Sequence, residues 1–333
     1  MANKIFIYEK EKEMKYTIFA HSHCTDGLVA ASIMKYSLQM NYQSEPEVIF
    51  VSYGKEQEAI DKANLNSETT VYCVDFAFNR ELTLELCKLA KLVYVLDHHK
   101  TANENLHDLK THYNFNFIYD VNKSGASIVR DYCKQHLDLY SHIKLNQKEI
   151  LNKVVNMVED RDLWLFKLPM TKEFAEYIFA YMQPNDIDKM SIILFKYSFD
   201  NLKEICQMGE TIMDYKNNII EKKLKSYVPV YFHVDNTKLL IINETQPDLV
   251  SQLGNELCKK YNIPVCLYSI SGSNGSNELS VALSFRSMDH LEPVDSIARL
   301  FSGGGHSCAS GGVCSLNRFT DLMTYNTSKK WIA

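Results

Sequence analysis

The sequence predicts an α/β protein in which an N-terminal domain with a parallel sheet is joined by a helical linker to a smaller C-terminal domain with a mixed sheet. In the first half of the chain, short apolar runs alternate with stretches of helical periodicity, which is typical of parallel strands with crossover helices. A long helical stretch follows and ends at Pro229, and strands separated by a Gly/Ser/Asn loop come after it. We therefore expect domains at residues 1–200 and 229–333, with the linker helix at 201–228.

The N-terminal elements follow from short apolar runs for the strands and from a helical spacing of apolar residues for the helices. In chain order they are a strand at 15–21, a helix at 27–40, strands at 47–52 and 70–74, a helix at 80–91, strands at 92–96 and 114–119, and helices at 125–135 and 150–159. The run at 92–96 is rich in Val, Leu and Tyr, which suits a central strand buried on both faces.

The C-terminal elements follow a stretch of helical pattern from residue 172 to 227, whose last part predicts one long helix. Beyond Pro229 the predicted elements are strands at 230–234 and 238–242, a helix at 247–261, strands at 264–271 and 279–286, a helix at 294–301, a strand at 312–316 and a terminal helix. The segment 272–277, Gly-Ser-Asn-Gly-Ser-Asn, predicts a hairpin loop.

Composition narrows the class of protein. Of the 333 residues, 46% are hydrophobic and 23% charged, and the formal net charge is −5, which is ordinary for a soluble globular chain long enough for two domains. Proteins that coat long nucleic acids are strongly basic, so a small or short anionic substrate fits this charge better.

Cysteine usage indicates the compartment. The nine cysteines are odd in number and contain no C-x-x-C pair, which favours small core residues in a reducing environment over disulfides or a zinc motif. The charged N-terminus lacks the character of a signal peptide, and there is no run of about 18 apolar residues. We expect a cytoplasmic protein with no membrane segment.

Three predicted strands each end in residues that commonly bind metal ions. They are His21 with Asp26 after the first strand, Asp75 after the run at 70–74, and Asp97-His98-His99 after the run at 92–96. The helix at 150–159 offers a fourth candidate, Asp160, with Asp162 close by. A lone Asp-His-His triplet also fits helix capping with surface histidines. Acids and imidazoles from separate segments at one sheet edge are, however, how a two-metal hydrolytic site is assembled.

At these positions the sequence resembles the DHH (Asp-His-His) phosphoesterases over nearly its whole length. The matching motifs, in chain order, are His21 to Gly27, Asp75, Asp97-His98-His99, Ser124-Gly125-Ala126-Ser127, Asp160, and the glycine run Gly303-Gly304-Gly305-His306 with Ala309 and Gly311 behind it. Together these motifs are specific, whereas any one alone is weak. The resemblance implies a parallel-sheet domain that carries the metal site, followed by the family's associated substrate-binding domain.

The resemblance also implies roles for the site residues. The metal ligands would be His21, Asp26, Asp75, His98 and Asp160, with Asp75 bridging two divalent ions. Mn²⁺ is the expected metal, with Mg²⁺, Zn²⁺ or Fe²⁺ as alternatives. Asp97, His98 and His99 form the expected catalytic set: Asp97 would orient His98 or ligate directly. His99 would donate a proton to the leaving group or hold the phosphate. Ser124 to Ser127 either contact substrate or let their helix pack closely on the sheet.

One position departs from the family pattern. Most members carry two acids in the first motif, whereas Cys24 stands where the earlier acid would be. A thiolate is softer than a carboxylate and suits Zn²⁺ or Fe²⁺ better than Mn²⁺. Either Cys24 is a ligand and the metal differs, or Cys24 is a bystander and one ion is held more weakly.

The C-terminal glycine run is the expected substrate grip. Consecutive glycines leave backbone N–H groups bare, so Gly303 to Gly305 can wrap a phosphate or carboxylate, and a flexible turn is the alternative. Arg286, Ser287 and His306 complete the expected substrate-binding set. From the resemblance, this domain would close over the metal site and favour short ligands and chain ends.

The leading hypothesis is a metal-dependent phosphoesterase that cleaves phosphodiester bonds in short oligonucleotides, dinucleotides or single-strand ends. A phosphoanhydride hydrolase acting on polyphosphate or a nucleotide would use similar ligands, and stacking aromatics would distinguish the two. A non-catalytic nucleotide-binding protein is a third hypothesis, prompted by Cys24. The expected partner is a phosphorylated small molecule or short single-stranded nucleic acid, and a homodimer is one option.

Overall fold

The computed structural model describes residues 14–52, 54–234, 237–272 and 278–328. Its contacts divide the chain into two compact units, Met1–Met213 and Asp214–Ala333, and the boundary lies within a long helix, Phe199–Ser226. The expected domain limits at residues 200 and 229 stay a prediction. Within the described ranges, we find no helix with the length and apolar character needed to cross a lipid bilayer.

The N-terminal unit is built on a parallel sheet of five strands. The strands are β1 (Lys15–His21), β2 (Glu47–Val51), β3 (Thr69–Val74), β4 (Leu92–Asp97) and β5 (Phe115–Tyr119). They are hydrogen-bonded in the order β2-β1-β3-β4-β5, and every pairing is parallel. The direction of the crossovers therefore changes between β1 and β3. In open α/β sheets, ligands bind outside the carboxyl ends of the strands at such a switch point.

Helices cover both faces of this sheet. They are α1 (Thr25–Tyr42), α2 (Glu56–Lys62), α3 (Arg80–Leu89), α4 (Lys100–Leu106), α5 (Gly125–His136), α6 (Leu145–Asp162), α7 (Thr171–Tyr181), α8 (Ile187–Lys196) and α9 (Phe199–Ser226). Successive strand residues point to opposite faces. Ile18 therefore joins the core formed with α1, α5 and α6, whereas Phe19 joins the core formed with α2, α3 and α4. Burial on both faces explains why these strands are continuous apolar runs.

The observed elements differ from the expected ones where local signals are weak. The prediction missed α2 and α4, each of which buries only two side chains and so has little periodicity. The helix expected at 150–159 is longer and runs to Asp162. The helical stretch from residue 172 is divided near Pro184, and Asp186 caps α8 by accepting a hydrogen bond from the Lys189 N–H.

The C-terminal unit contains a mixed sheet, as expected. Its elements are β6 (Tyr231–Val234), β7 (Thr237–Asn243), α10 (Pro247–Tyr261), β8 (Val265–Gly272), β9 (Leu279–Arg286), α11 (Asp295–Arg299), β10 (Gly304–His306), β11 (Ala309–Ser315) and α12 (Leu316–Ser328). The strand order is β10-β11-β9-β8-β7-β6, with β7 and β8 parallel and the other pairs antiparallel. The hairpin loop expected at 272–277 lies almost entirely outside the described residues.

Candidate metal centre

The carboxyl ends of β1, β3 and β4 deliver polar side chains to one edge of the parallel sheet. His21 is the last residue of β1, Asp75 follows β3 directly, and Asp97 ends β4. Asp75 has a backbone φ of 52°, a left-handed conformation that is uncommon outside glycine and that clusters at functional sites. The structure therefore places these residues at the switch point of the sheet.

Three groups of donors form at this edge, and one of them consists of Asp75, Asp97, His98 and His99. The His21 group consists of His21, Cys24 and Asp75, and the His98 group consists of Asp26, His98 and Asp162. Within each group, one donor atom of every residue lies within 4.8 Å of the others. Imidazole, carboxylate and thiol donors at this separation fit a divalent metal ion.

Asp75 belongs to the His21 group and also reaches His98 of the His98 group. Its Oδ2 is 3.7 Å from Nδ1 of His21, and its Oδ1 is 3.2 Å from Nε2 of His98. The residue is only 1% exposed, and among the described residues neither oxygen accepts a hydrogen bond of good geometry. Burial raises the pKa of this carboxyl, but His21 and His98 together hold it below its ordinary value. A buried carboxylate whose oxygens accept no hydrogen bond is costly unless its charge is compensated, and the residues of these groups could hold a cation that would supply this charge.

Asp26 is held by the N-terminus of α5. The N–H of Gly125 donates to its Oδ2 at 2.6 Å, and the N–H of Ala126 donates to its Oδ1 at 2.9 Å. Burial, followed by the charges of Asp75 and Asp162, raises the pKa of Asp26 well above its usual range. A Cβ at Gly125 would lie 2.5 Å from Cβ of Asp75, so glycine permits the close approach. The Ser-Gly-Ala-Ser motif thus orients the acids and explains why small residues occur there.

The fourth acid of the cluster is Asp162, which corrects the expectation for Asp160. Oδ2 of Asp162 lies 3.5 Å from Nε2 of His98. The carboxylate of Asp160 instead accepts hydrogen bonds from the backbone N–H groups of Lys167 and Leu168 and from the Thr171 hydroxyl. Because its two oxygens are used by the loop after α6, Asp160 is a structural acid. The two residues are separated by about 200° around a helix, and the sequence alone favoured the wrong one.

Asp97 contacts His99 rather than the ring of His98. Its Oδ1 lies 2.7 Å from Nδ1 of His99 and accepts the backbone N–H of His98 at 2.8 Å. Burial lowers the pKa of His99, but the hydrogen bond and the charge of Asp97 act in the opposite direction. The net result is a pKa raised from the ordinary 6.5 to about 9. Asp97 thus contacts His98 through its backbone N–H, and one of its oxygens lies within reach of the cluster. That it orients His98 or binds a metal ion directly stays a prediction.

The loop between β1 and α1, which carries Cys24, is fixed by a distant residue. The side-chain amide of Asn185 donates to the Ser22 hydroxyl at 3.4 Å, and its oxygen accepts the His23 N–H at 3.3 Å. No sequence signal links positions 22 and 185, so sequence reasoning missed this support.

A small cleft opens beside the His98 group. Cys24, Asp26 and Asp162 line it together with Arg161 and Phe174. Arg161 stacks over the ring of Phe179 at 5.8 Å and is the cationic side chain of this cleft. Trp164, two residues after Asp162, is 55% exposed and therefore does not fill apolar space behind the site.

The expected substrate residues lie in the C-terminal unit. Arg286 pairs with Ala309 across β9 and β11, and Ala309 pairs with His306 across β11 and β10, so Arg286 and His306 share one row of the sheet. Gly304 and Gly305 are exposed, while a Cβ at Gly303 would clash with the carbonyl of Gly311. The glycine run is therefore an edge strand rather than a flexible turn.

Ser287 differs from the other expected substrate residues. It is 4% exposed, and its hydroxyl donates to the Glu292 carbonyl at 2.7 Å. Since the hydroxyl is used within the unit, the expectation that Ser287 binds substrate is not supported.

Comparisons with known proteins bear on the fold. No family model matches the chain. Protein R106 of Acanthamoeba polyphaga mimivirus, itself described as uncharacterized, is 27% identical over 322 residues, which cover 93% of this chain and 69% of the viral protein.

Solved structures resemble both units of the chain. RecJ from Thermus thermophilus in complex with Mn²⁺ matches with a TM-score of 0.53 and 13% identity over 94% of this chain and 51% of RecJ. The pGpG-specific phosphodiesterase PggH from Vibrio cholerae matches with a TM-score of 0.50 and 13% identity over 93% of this chain and 97% of PggH. An exopolyphosphatase-related protein from Bacteroides fragilis matches with a TM-score of 0.51 and 15% identity over 96% of this chain and 93% of that protein. The chain shares their fold. The α/β fold class expected from the sequence is thereby confirmed, and at these identities the similarity concerns the fold alone.

Proposed function

We propose that this chain is a metal-dependent phosphoesterase of the DHH family that hydrolyses phosphodiester bonds in short oligonucleotides, dinucleotides or single-strand ends. The observation that carries the proposal is Asp75, a buried carboxylate with two unsatisfied oxygens that face a histidine of each donor group. The fold shared with RecJ and with PggH supports it.

We propose two divalent ions as cofactors, with Mn²⁺ expected in the oxygen-rich His98 group. The ligands would be His21, Asp26, Asp75, His98 and Asp162, with Cys24 as a further candidate. When bound, such ions lower the pKa of water and draw charge from the phosphoryl oxygens of an anionic substrate. Asp75 would bridge the two sites, and the α5 N-terminus would keep Asp26 in position for its site.

His99 would assist departure of the leaving oxygen. Asp97 holds Nδ1 of its ring, which fixes the ring orientation and keeps the imidazole protonated near neutral pH. A positioned imidazolium can give its proton to a leaving alkoxide. Arg161 would neutralise the phosphate in the adjacent cleft.

Exposed aromatic side chains near Arg161 favour a nucleotide substrate over polyphosphate. Trp164 and Phe179 are 55% and 53% exposed. Trp164 packs edge-on against Phe166, and Lys172 lies over the Phe166 ring at 5.1 Å. Aromatic faces beside cations are typical of sites that stack unpaired bases. A phosphoanhydride hydrolase, the second candidate, would have no use for them.

We further propose that a phosphate or base of the substrate is bound by Arg286, Gly303, Gly304, Gly305 and His306. Arg286 donates to Ser251 Oγ and to the Phe285 carbonyl, which fixes its guanidinium. A cytoplasmic location and a homodimer remain predictions.

Hydrolysis of bis-p-nitrophenyl phosphate by the full chain tests the proposed activity. Turnover should require Mn²⁺ or another divalent ion, stop with EDTA, and fall by at least about 100-fold in Asp75→Asn, which removes the bridging charge. Asp120→Asn, an acid outside the cluster, is the control and should keep full activity. Lack of turnover by the wild type with any divalent ion would favour a non-catalytic nucleotide-binding protein.

Substrate class is tested with a dinucleotide, a short oligoribonucleotide, single-stranded DNA and polyphosphate. Trp164→Ala should raise KM for the dinucleotide about ten-fold, since stacking of one base contributes about 1–3 kcal/mol, and should leave bis-p-nitrophenyl phosphate unaffected. Tyr113→Ala is a matched control, because Tyr113 is also an exposed aromatic but precedes β5 at the opposite edge of the sheet. Preferential cleavage of polyphosphate would support the second candidate instead.

A further inference from the structure

We propose that Cys24 is a thiolate ligand and that the His21 group holds a soft divalent ion, Zn²⁺ or Fe²⁺, beside a harder ion in the His98 group. This inference rests on the proposed function, because it assigns the metals of the same site. The His21 group and the His98 group would then bind different metals, each selected by the donors of its own group.

The position of Cys24 is the first observation. It stands at the N-cap of α1 with an extended backbone, and its sulfur lies within 4.8 Å of a ring nitrogen of His21 and a carboxylate oxygen of Asp75. It forms no disulfide and is half-buried. The backbone N–H of His23, the residue before Cys24, donates to the side-chain oxygen of Asn185, which fixes the loop. Cys24 is thus placed in the cluster by the fold.

The second observation is independent of the cysteine. Both oxygens of Asp75 are buried and accept no hydrogen bond from the described residues, and Oδ2 is the one directed at His21. A carboxylate oxygen in this condition needs a positive partner. Because Asp75 belongs to the group that contains Cys24, the partner would be shared with the thiol.

The two groups differ in the softness of their donors. The His21 group offers one nitrogen, one sulfur and one oxygen, whereas the His98 group offers one nitrogen and the oxygens of Asp26 and Asp162. Thiolates select Zn²⁺ or Fe²⁺, whereas carboxylates suit Mn²⁺ and Mg²⁺. Three protein donors also leave room for a further ligand, which is typical of catalytic zinc sites.

Cobalt substitution tests the ligand directly. Co²⁺ added to the metal-free full chain should produce a thiolate-to-cobalt charge-transfer band in the near ultraviolet. The band should be lost in Cys24→Ser and kept in Cys308→Ser. Cys308 is the matched control, because these two are the cysteines that are not buried. A band of equal intensity in Cys24→Ser, or no band in the wild type, would overturn the proposal.

Metal competition tests the selectivity. After incubation with equal Zn²⁺ and Mn²⁺ and removal of free ions, the ratio of bound zinc to manganese is measured by elemental analysis. Cys24→Asp should lower this ratio at least about ten-fold, since even residues outside the ligand shell change metal affinity 10- to 100-fold. An unchanged ratio would count against the proposal. Cys24→Asp also serves if Cys24→Ser does not fold, as checked by circular dichroism.

The experiments distinguish failure of the metal assignment from failure of the proposed function. A cobalt band that depends on Cys24 in a protein without phosphodiesterase activity would leave the metal assignment intact and reject the proposed function. Hydrolysis by a protein whose metal content does not depend on Cys24 would support the proposed function and reject the metal assignment.

Discussion

At the scale of single residues, two aspartates in the last turn of α6 have different roles. Asp160 accepts three hydrogen bonds from the segment that follows the helix, and this network lowers its pKa below the ordinary value against the opposing effect of burial. Asp162 faces His98 instead, and burial with the charge of Asp75 raises its pKa. One acid shapes the loop, and the other is available to a cation.

Substitution separates these roles. Asp160→Asn should lower the free energy of unfolding by about 1–3 kcal/mol, because an amide group replaces an acceptor and leaves a buried N–H unpaired. Asp162→Asn should not lower the stability of the metal-free protein, because it removes a charge that burial and Asp75 disfavour, and it should weaken metal binding at least about ten-fold. Thermal unfolding and metal titration measure the two effects, and an exchange of the two outcomes would reverse the assignment.

The pair of Asp97 and His99 allows a second prediction at this scale. Asp97→Asn keeps the shape of the side chain but removes the charge that raises the pKa of His99. We expect kcat to fall by about 100-fold, and the alkaline limb of the pH–rate profile to move to lower pH. Asp108→Asn is the control, because Asp108 is exposed and pairs with Arg80. An unchanged profile would show that His99 does not supply the proton.

At the scale of elements, the N-terminus of α5 positions the acids through backbone groups. Gly125→Ala would place a Cβ 2.5 Å from Cβ of Asp75 and 2.8 Å from its Oδ1. We expect this overpacking to cost about 1–3 kcal/mol of stability and to weaken metal binding. Gly272→Ala should be tolerated, since nothing lies within 4 Å of its added Cβ. Calorimetry and metal titration on both variants check the contrast.

The elements show what the sequence could predict and what it could not. Apolar runs at residues 15–21 and 92–97 are buried on both faces, so their strand character is visible locally. Their ends carry the polar residues that form the cluster. The choice of Asp162 over Asp160 depends on how far α6 continues, and helix ends are poorly defined by periodicity. The bonds from Gly125 and Ala126 to Asp26 join residues far apart in the chain, which no local pattern encodes.

At the scale of the whole molecule, the cluster makes stability depend on both pH and metal. Folding raises the pKa of Asp26 and Asp162 above the ordinary value of 3.8, and that of His99 from 6.5 to about 9. In each case the folded state binds more protons than the unfolded state. The contribution of each group to stability is therefore fully present below its unfolded pKa and is lost as pH rises through its folded pKa.

The metal-free protein should therefore become less stable between about pH 4 and pH 9. A divalent ion compensates the carboxylates and competes with their protons, so the rise in unfolding temperature on adding Mn²⁺ should be larger at pH 8 than at pH 5. Scanning fluorimetry with and without EDTA measures this difference. Equal rises at the two pH values would contradict the assignment of the cluster as a metal centre.

The order of the strands has a consequence for the whole N-terminal unit. The donors lie between residues 21 and 162, on β1, α1, β4 and α6, in the loop before α1 and in the segments that follow β3 and β4. An ion shared among them would act as a crosslink across the sheet, comparable to a staple that closes a long loop. Chelation should then accelerate amide hydrogen exchange at the carboxyl edge of β1 and β3 before it affects the amino edge of the same strands.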